Sequence, residues 1–266
     1  MTCSRRAFLS GGFSAGVAAM VATGVDVRPA RANLVSGCLI MHDEFSRLRS
    51  AATSFGNVRV SLFDKSKHVR TTGNRTLDLA LDASIKRLSD LFGQTPAFGF
   101  YKEEDHPELS AMNAFATVEG TDIAGTWGTI GFGTTLFQTE MGKYDPYGST
   151  IIAVIAHEFG HIWAMRAGMM DKLNEGQKTV KRSELHADFL AGYFLGTRKR
   201  AAPNISLHAA GELFHRIGDD NINSPNHHGT PKERVAAAEE GFKISYVQNR
   251  DPQHAFAAGL EYIKNL

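Results

Sequence analysis

Apolar residues recur three or four positions apart in two stretches of the first hundred residues, which is the spacing of an amphipathic helix. The first stretch predicts a helix over 42–55, and alternation of apolar and polar residues predicts a strand over 58–64. The second stretch predicts a helix between the N-cap residue Asn74 and Gly93. Its core-facing positions are Leu77, Leu81, Ile85, Leu88 and Phe92.

The pattern between residues 97 and 140 is different, because short β-branched or aromatic runs alternate with glycines. The runs "AFGFY", "AFATV" and "GTIGFGTTLF" predict a small β-sheet. From residue 149 onward the pattern is mostly helical. Ser149 or Thr150 is predicted to begin one helix that Gly168 ends, and a second helix is predicted from Ser183 to Gly196.

Three further helix starts are predicted from capping residues near the end of the chain. Ser206 is predicted to cap the first of these helices. Thr230 and Glu233 have the spacing of a capping box, with proline at the first helical position. The pair Asp251-Pro252 begins the last helix. Together with the predicted sheet, these helices indicate an α+β fold.

Composition is that of a globular protein, with 266 residues, 42% hydrophobic and 21% charged. No linker interrupts residues 33–266, so one domain is predicted there. The formal net charge of +1 gives no polybasic field, and no nucleic-acid partner is expected. No stretch after residue 32 is long and apolar enough to suggest a transmembrane segment.

The first 32 residues carry the pattern of an export signal. The pair "RR" precedes a weakly apolar run rich in Gly, Ala and Ser, and "ARA" ends the segment with a small-x-small cleavage site. This pattern predicts a twin-arginine signal over 1–32 and a periplasmic or secreted protein over 33–266. Two alternatives stay open: the apolar run as a membrane anchor, and "VSGC" as a lipobox that would attach a lipid to Cys38.

The strongest chemical signal is "HEFGH" within the apolar stretch 151–168. His157 and His161 are four residues apart, so both imidazoles lie on one face of a helix. Two imidazole nitrogens suit zinc, and Glu158 is placed to act as a general base on zinc-bound water without itself binding the metal. This spacing predicts one Zn²⁺ held by His157 and His161.

A catalytic zinc needs a third protein ligand and one open position. A third histidine shortly after the motif is excluded, because alanine occupies positions 164 and 167. The remaining option is Glu184, on a helix that can fold back against the first. Asp188 lies one turn further on and is predicted to accept a hydrogen bond from a zinc-bound histidine. His186 is two residues from Glu184 and is interpreted as structural.

The segments "HEFGH" and "ELHADFLAG" resemble the gluzincin metallopeptidases of the group that contains the CAAX prenyl endopeptidases and the HtpX-type heat-shock proteases. The segments "MNAFATVEG" (112–120) and "HHGTPKERV" (227–235) add to the resemblance, and the second is also similar to a set of soluble neutral zinc metallopeptidases. The sequence departs from the group in having Gly229-Thr230 in place of Pro-Pro, and it lacks the membrane helices of the better-known members.

The resemblance implies a zincin-like single domain over 33–266, with a small mixed β-sheet, an active-site helix and a Glu-bearing helix. It also implies roles for residues outside the metal motif. Asn113 would lie at the cleft and bind substrate or the developing oxyanion. His228, with His227 as its rival, would donate a hydrogen bond to the oxyanion, and Arg234 would anchor its loop to a carboxylate.

The function expected from these parts is that of a zinc-dependent endopeptidase, in which Glu158 activates a zinc-bound water. A peptide or protein substrate is expected to bind as an extended strand along the sheet edge around 113–120. The alternative is a zinc-stabilised binding or chaperone-like module on a gluzincin fold, without catalytic activity.

Overall fold

The computed structural model describes residues 71–103, 112–119 and 124–266. Within these residues it contains eight α-helices and a three-stranded mixed sheet, so the α+β prediction is confirmed. Four predicted features lie outside the described residues: the export signal, Cys38, the helix over 42–55 and the strand over 58–64. No helix in the described part of the chain has both the length and the apolar character needed to cross a membrane.

The elements follow one another in an order that places the sheet before most of the helices. They are α1 (Arg75–Phe92), β1 (Ala97–Tyr101), β2 (Ala114–Thr117), β3 (Thr129–Gly133), α2 (Thr134–Thr139), a π-helical turn (Glu140–Tyr144), α3 (Ser149–Arg166), α4 (Met170–Asn174), α5 (Lys181–Ala201), α6 (His208–Arg216), α7 (Pro231–Tyr246) and α8 (Pro252–Lys264).

The sheet has the strand order β1-β3-β2, with β3 parallel to β1 and antiparallel to β2. Phe115 on β2 is paired with Gly131 on β3. A Cβ at Gly131 would lie 2.5 Å from the Phe115 ring, so the glycine makes room for that side chain. Every residue of β2 and β3 is buried, and this sheet forms one wall of the core.

Helices whose ends depend on local capping begin where the sequence predicts them. The Asn74 side chain accepts hydrogen bonds from the backbone N–H groups of Thr76 and Leu77, at 3.0 and 3.2 Å. The capping box between Thr230 and Glu233 is complete at the start of α7. Asp251 caps α8 in the same way, by accepting from the backbone N–H of His254 at 2.8 Å. These three predictions are confirmed.

Two predictions fail where a distant residue decides the structure. Residues 134–139, predicted as part of the sheet, form helix α2 because the Glu103 carboxylate accepts from the backbone N–H groups of Thr135 and Leu136. Helix α5 continues through Gly196 to Ala201 instead of ending at the glycine. A Cβ at Gly196 would lie 2.8 Å from the Phe242 carbonyl oxygen, so the glycine allows close packing of α7.

Two predicted helix starts are displaced by one or two residues. Helix α5 begins at Lys181 instead of Ser183. Helix α6 begins at His208 with Leu207 as its N-cap residue, although the Ser206 hydroxyl still accepts from the backbone N–H of His208 at 3.4 Å.

The core surrounds α3, which packs between the sheet and α5, while α5 packs between α3 and α7. Most residues of α3 are buried, including Ile155 and Phe159. Gly160 brings the two helices together, because a Cβ there would lie 2.9 Å from the Cα of Ala187 on α5. This close approach places a polar face of α5 against the two histidines of α3.

Candidate metal centre

Two buried imidazoles on α3 form one side of the centre. His157 and His161 lie one helical turn apart, and their Nε2 atoms are 3.1 Å from each other. Their side chains are 4% and 5% exposed to solvent. Two nitrogen lone pairs at this distance repel each other unless a cation or a proton lies between them.

Glu184 on α5 completes a triad with these histidines. Its Oε2 is 3.4 Å from the Nε2 of His157, and its Oε1 is 3.3 Å from the Nε2 of His161. Within the described residues, Oε2 is buried and has no hydrogen-bond partner. The ligand atoms of all three residues lie within 4.8 Å of one another, which makes the buried triad a group that could hold a metal ion.

The two imidazole nitrogens have the spacing of two ligands on one tetrahedral metal ion. Donors about 2.0–2.1 Å from a tetrahedral ion are about 3.3 Å from one another. The 3.1 Å separation of the two Nε2 atoms is close to this value, and each of these atoms is 3.3–3.4 Å from a different oxygen of Glu184. Together with the buried carboxylate oxygen that lacks a hydrogen-bond partner, this geometry fits a bound cation.

Asp188 fixes the orientation of the first imidazole from behind. Its Oδ1 accepts a hydrogen bond from the Nδ1–H of His157 at 2.8 Å, which leaves the Nε2 of that ring facing the other two donors. Arg234 on α7 donates to the same carboxylate through Nε at 2.7 Å and Nη2 at 2.8 Å. Its Nη1 donates to the Ile217 carbonyl oxygen at 3.2 Å. The sequence predicts Arg234 as an anchor to a carboxylate, and the structure identifies that carboxylate as Asp188.

The charges of this network shift the pKa values of its members. Burial alone would lower the pKa of His157, but contacts with Asp188 and Glu184 raise it to about 9. Burial would raise the pKa of Glu184, whereas the charge of His161, contacts with both histidines and the charge of His228 hold it well below its usual range. Arg234 and His157 outweigh burial in the same way and lower the pKa of Asp188.

Glu158 and Asn113, the other predicted catalytic residues, are both fully buried. Glu158 follows the first histidine on α3. Asn113 directly precedes β2, and its backbone carbonyl accepts hydrogen bonds from the Tyr101 hydroxyl at 3.0 Å and the Gly133 N–H at 2.8 Å. Its side-chain amide has no hydrogen-bond partner in the described residues, so no such bond joins it to the triad there.

The two histidines before α7 differ in their contacts. The Nδ1 of His227 is 2.7 Å from Oδ1 of Asp219, a residue that no sequence pattern singled out. The backbone N–H of His228 donates to Oδ2 of the same carboxylate at 2.9 Å. Gly229, the residue after His228, packs against Leu185, the residue after Glu184, so His228 and Glu184 lie on contacting segments.

His186 is fully buried but lies outside the triad. It packs against Trp163, with ring centroids 5.5 Å apart, and against Gly259 of α8. Neither ring nitrogen has a hydrogen-bond partner among the described residues. Burial and the positive charge of His161 lower the pKa of His186 to about 3, so the ring is neutral.

Comparisons of the chain with protein-family models, with curated proteins and with solved structures return no match. The assignment of a function therefore rests on the geometry of the triad and the residues around it.

Proposed function

We propose that the protein is a zinc-dependent endopeptidase with a zincin-like fold, similar to the gluzincins. The observation that carries the proposal is the buried triad of His157, His161 and Glu184, whose ligand atoms all lie within 4.8 Å of one another. A structural zinc site has four protein ligands, whereas a catalytic site has three and an open position. The described residues offer three ligands, with Glu158 adjacent to the first.

The donor set favours zinc over harder cations. Two imidazole nitrogens with one carboxylate suit zinc, while magnesium and calcium prefer oxygen ligands. The His157–Asp188 hydrogen bond also fits this reading, because a carboxylate behind a ligating imidazole fixes its tautomer and raises its basicity.

In the proposed reaction, the metal ion supplies Lewis acidity, and the side chains supply proton transfer and positioning. When bound, zinc supplies a Lewis acid that polarises the attacking water and the scissile carbonyl. Glu158 takes the proton released as water attacks and passes it to the leaving amine. Glu184 and the histidines hold the centre in place, while Asp188 and Arg234 keep the first imidazole oriented.

Two further groups are proposed to act on the substrate. His228 donates a hydrogen bond to the oxyanion that forms during attack, and the Asn113 amide binds the substrate or the same oxyanion. The strand order β1-β3-β2 places β2 at one edge of the three-stranded sheet, next to Asn113. An extended peptide is proposed to bind alongside β2.

The substitution Glu158→Gln tests the proposal, because it removes the general base and preserves the shape of the side chain. The variant is expected to bind one zinc per chain, as the wild type does, and to lose at least about 100-fold in hydrolysis of a casein-type substrate. Metal content and peptide release are measured on the same preparations. Hydrolysis by the variant at the wild-type rate would refute the mechanism. A wild type that binds zinc but cleaves no peptide would favour the non-catalytic module.

A further inference from the structure

The segment 218–229, called here the histidine loop, is closed at its base. The backbone N–H of Asp219 donates to the Gly229 carbonyl oxygen at 3.0 Å, which brings the two ends of the loop together. Gly229 has φ 104°, a left-handed conformation that glycine adopts without strain. At the other end, a Cβ at Gly218 would overlap the backbone of Pro231, so a glycine is needed there for close approach. Compact loops with joined ends are frequently functional.

The histidine loop is held against helix α5, which carries Glu184. The Pro225 carbonyl oxygen accepts from the backbone N–H of Val180 at 3.2 Å, at the start of α5. Leu185, the neighbour of Glu184, packs against Gly229, where an added Cβ would be 3.0 Å from its Cδ2. The position of the loop relative to Glu184 is therefore set by direct contacts.

The carboxylate of Asp219, near the base of the loop, contacts both histidines, but through different atoms. Its Oδ1 contacts the ring Nδ1 of His227 at 2.7 Å and accepts from the backbone N–H of Asn221 at 2.9 Å. Its Oδ2 accepts from the backbone N–H of His228 at 2.9 Å, while the ring Nδ1 of His228 is 3.7 Å away. One carboxylate thus contacts the rings of both histidines and also the backbone N–H of His228.

These contacts separate the roles of two adjacent histidines. The His227 ring is held by a carboxylate inside its own loop, whereas His228 precedes Gly229, which packs against Leu185, the neighbour of Glu184. Asp219 is only partly exposed, at 32% of its side chain, while both histidine rings are buried. Side-chain contacts to a partly exposed carboxylate add little to global stability by themselves. Their main consequence is the fixed geometry of the two rings.

We propose that Asp219 is a positioning residue, which directs His228 towards the metal triad and keeps His227 away from it. The expected effect on kcat rests on the proposed peptidase function. The expected effect on amide hydrogen exchange at His228 does not, and it can be measured independently. The proposal makes His228 the oxyanion donor and His227 a loop contact, and it assigns a role to a carboxylate outside the metal triad.

The kinetic test is a double-mutant cycle on the zinc-loaded full chain, with Asp219→Ala, His228→Ala and the double variant. Removal of an oxyanion donor is expected to lower kcat by about 100-fold. Loss of its positioning residue is expected to lower kcat by about tenfold, with KM and zinc affinity within about threefold of wild type. In the His228→Ala background, the Asp219 substitution should have little further effect, because both residues act through one group.

Two matched controls accompany the cycle. Asp220→Ala removes the same charge from the exposed neighbouring residue and should leave kcat unchanged. His227→Ala should retain kcat within about threefold, because its ring is not the donor. If Asp219→Ala fails to fold, Asp219→Asn serves as the second variant, since it keeps the side-chain shape and one acceptor oxygen. A kcat loss from Asp219→Ala that is equally large without His228, or a larger loss from His227→Ala than from His228→Ala, would overturn the proposal.

The structural arm needs no peptide hydrolysis. Amide hydrogen exchange at His228 is expected to accelerate by about tenfold or more in Asp219→Ala, and to stay at the wild-type rate in Asp220→Ala. Unchanged exchange at His228 in Asp219→Ala would refute the positioning role even if the wild type is an active peptidase. Conversely, a wild type without peptidase activity but with this exchange pattern would refute the proposed function and leave the positioning of His228 supported.

Discussion

Helix α5 buries polar side chains on two faces. The side chains on one face are charged and have ionic partners, whereas the side chain on the other face is a neutral imidazole. Glu184 and Asp188 lie on one face, where histidines of α3 and Arg234 of α7 surround their charges. His186 lies on another face against Trp163, where neither ring nitrogen finds a hydrogen-bond partner in the described part of the chain. The residues are only two positions apart, so the helical period separates an ionised network from a neutral, apolar site.

The difference shows what a buried charge requires. A carboxylate removed from water is stable as an anion only with cations and donors around it. Arg234 and His157 supply these for Asp188, and its pKa is lowered in spite of complete burial. His186 has no such partner, and burial together with the charge of His161 keeps it neutral. Substitution of a charged partner on the first face should therefore lower the free energy of unfolding. Substitution of the neutral ring on the second face should raise it.

The largest expected effect follows from removal of Arg234. Arg234→Met keeps much of the side-chain volume but leaves Asp188 buried without its main counter-charge. The free energy of unfolding should fall by about 3–5 kcal/mol, measured by urea unfolding in the presence of a chelator. Lys86→Ala is the control, because its ion pair with Asp90 is exposed, at 74% and 63%, and should contribute less than about 1 kcal/mol. Equal losses in both variants would remove the distinction between buried and exposed pairs.

The next effect concerns metal affinity. Asp188→Asn removes the negative charge behind His157 while it keeps the side-chain shape. Zinc affinity should weaken by about 10–100-fold, because the imidazole loses its fixed orientation and part of its basicity. Competition with a chromophoric chelator measures this change, with Glu158→Gln as a control that should bind zinc as the wild type does. Wild-type affinity in Asp188→Asn would show that the hydrogen bond does not tune the centre.

Substitution of His186, on the other face of α5, is expected to increase the free energy of unfolding instead of lowering it. His186→Leu replaces a buried polar ring that lacks partners, so the variant should be more stable at pH 7 by about 1–2 kcal/mol. The gain should increase on acidification, because the folded pKa of about 3 lies below the unfolded value. Below about pH 6.5 the unfolded wild type binds a proton at His186 that the folded protein does not bind. The free energy of unfolding of the wild type should therefore fall by about 1.4 kcal/mol per pH unit below this value, and this loss is absent above it.

Urea unfolding of both proteins at pH 7, 6 and 5, with chelator throughout, gives the pH dependence of this difference. The exposed His254 provides the control, and His254→Leu should track the wild type at each pH. A variant at position 186 that is less stable than wild type at all three values would show that the ring has a partner essential to the fold.

Sequence alone predicts those parts of the fold that depend on neighbouring residues. Asn74 and Asp251 cap helices through backbone groups two or three residues away, and both helices begin as predicted. Helix α2 was mistaken for sheet because its cap, Glu103, is more than thirty residues distant. Gly196 was mistaken for a helix end because only the packing of α7 shows why a glycine is required there.

In the candidate site, too, contacts set by local spacing are predictable from the sequence, whereas contacts between distant residues are not. Helical period brings His157 and His161 together, and the predicted step from Glu184 to Asp188 corresponds to the observed contact with His157. The pairing of Asp188 with Arg234 spans 46 residues, and the sequence indicates only that some carboxylate is needed. Asp219 was missed altogether, because its contacts depend on the closure of the histidine loop and have no periodic pattern.

We propose above that the buried triad binds one zinc ion. The most direct measurement is a crystal structure of the zinc-loaded protein, with anomalous diffraction recorded on both sides of the zinc absorption edge. A zinc ion held by the triad should give one strong anomalous peak about 2.0–2.2 Å from Nε2 of His157, Nε2 of His161 and a carboxylate oxygen of Glu184. A zinc peak ligated by other residues, or a saturated crystal with no peak at the triad, would contradict the proposal.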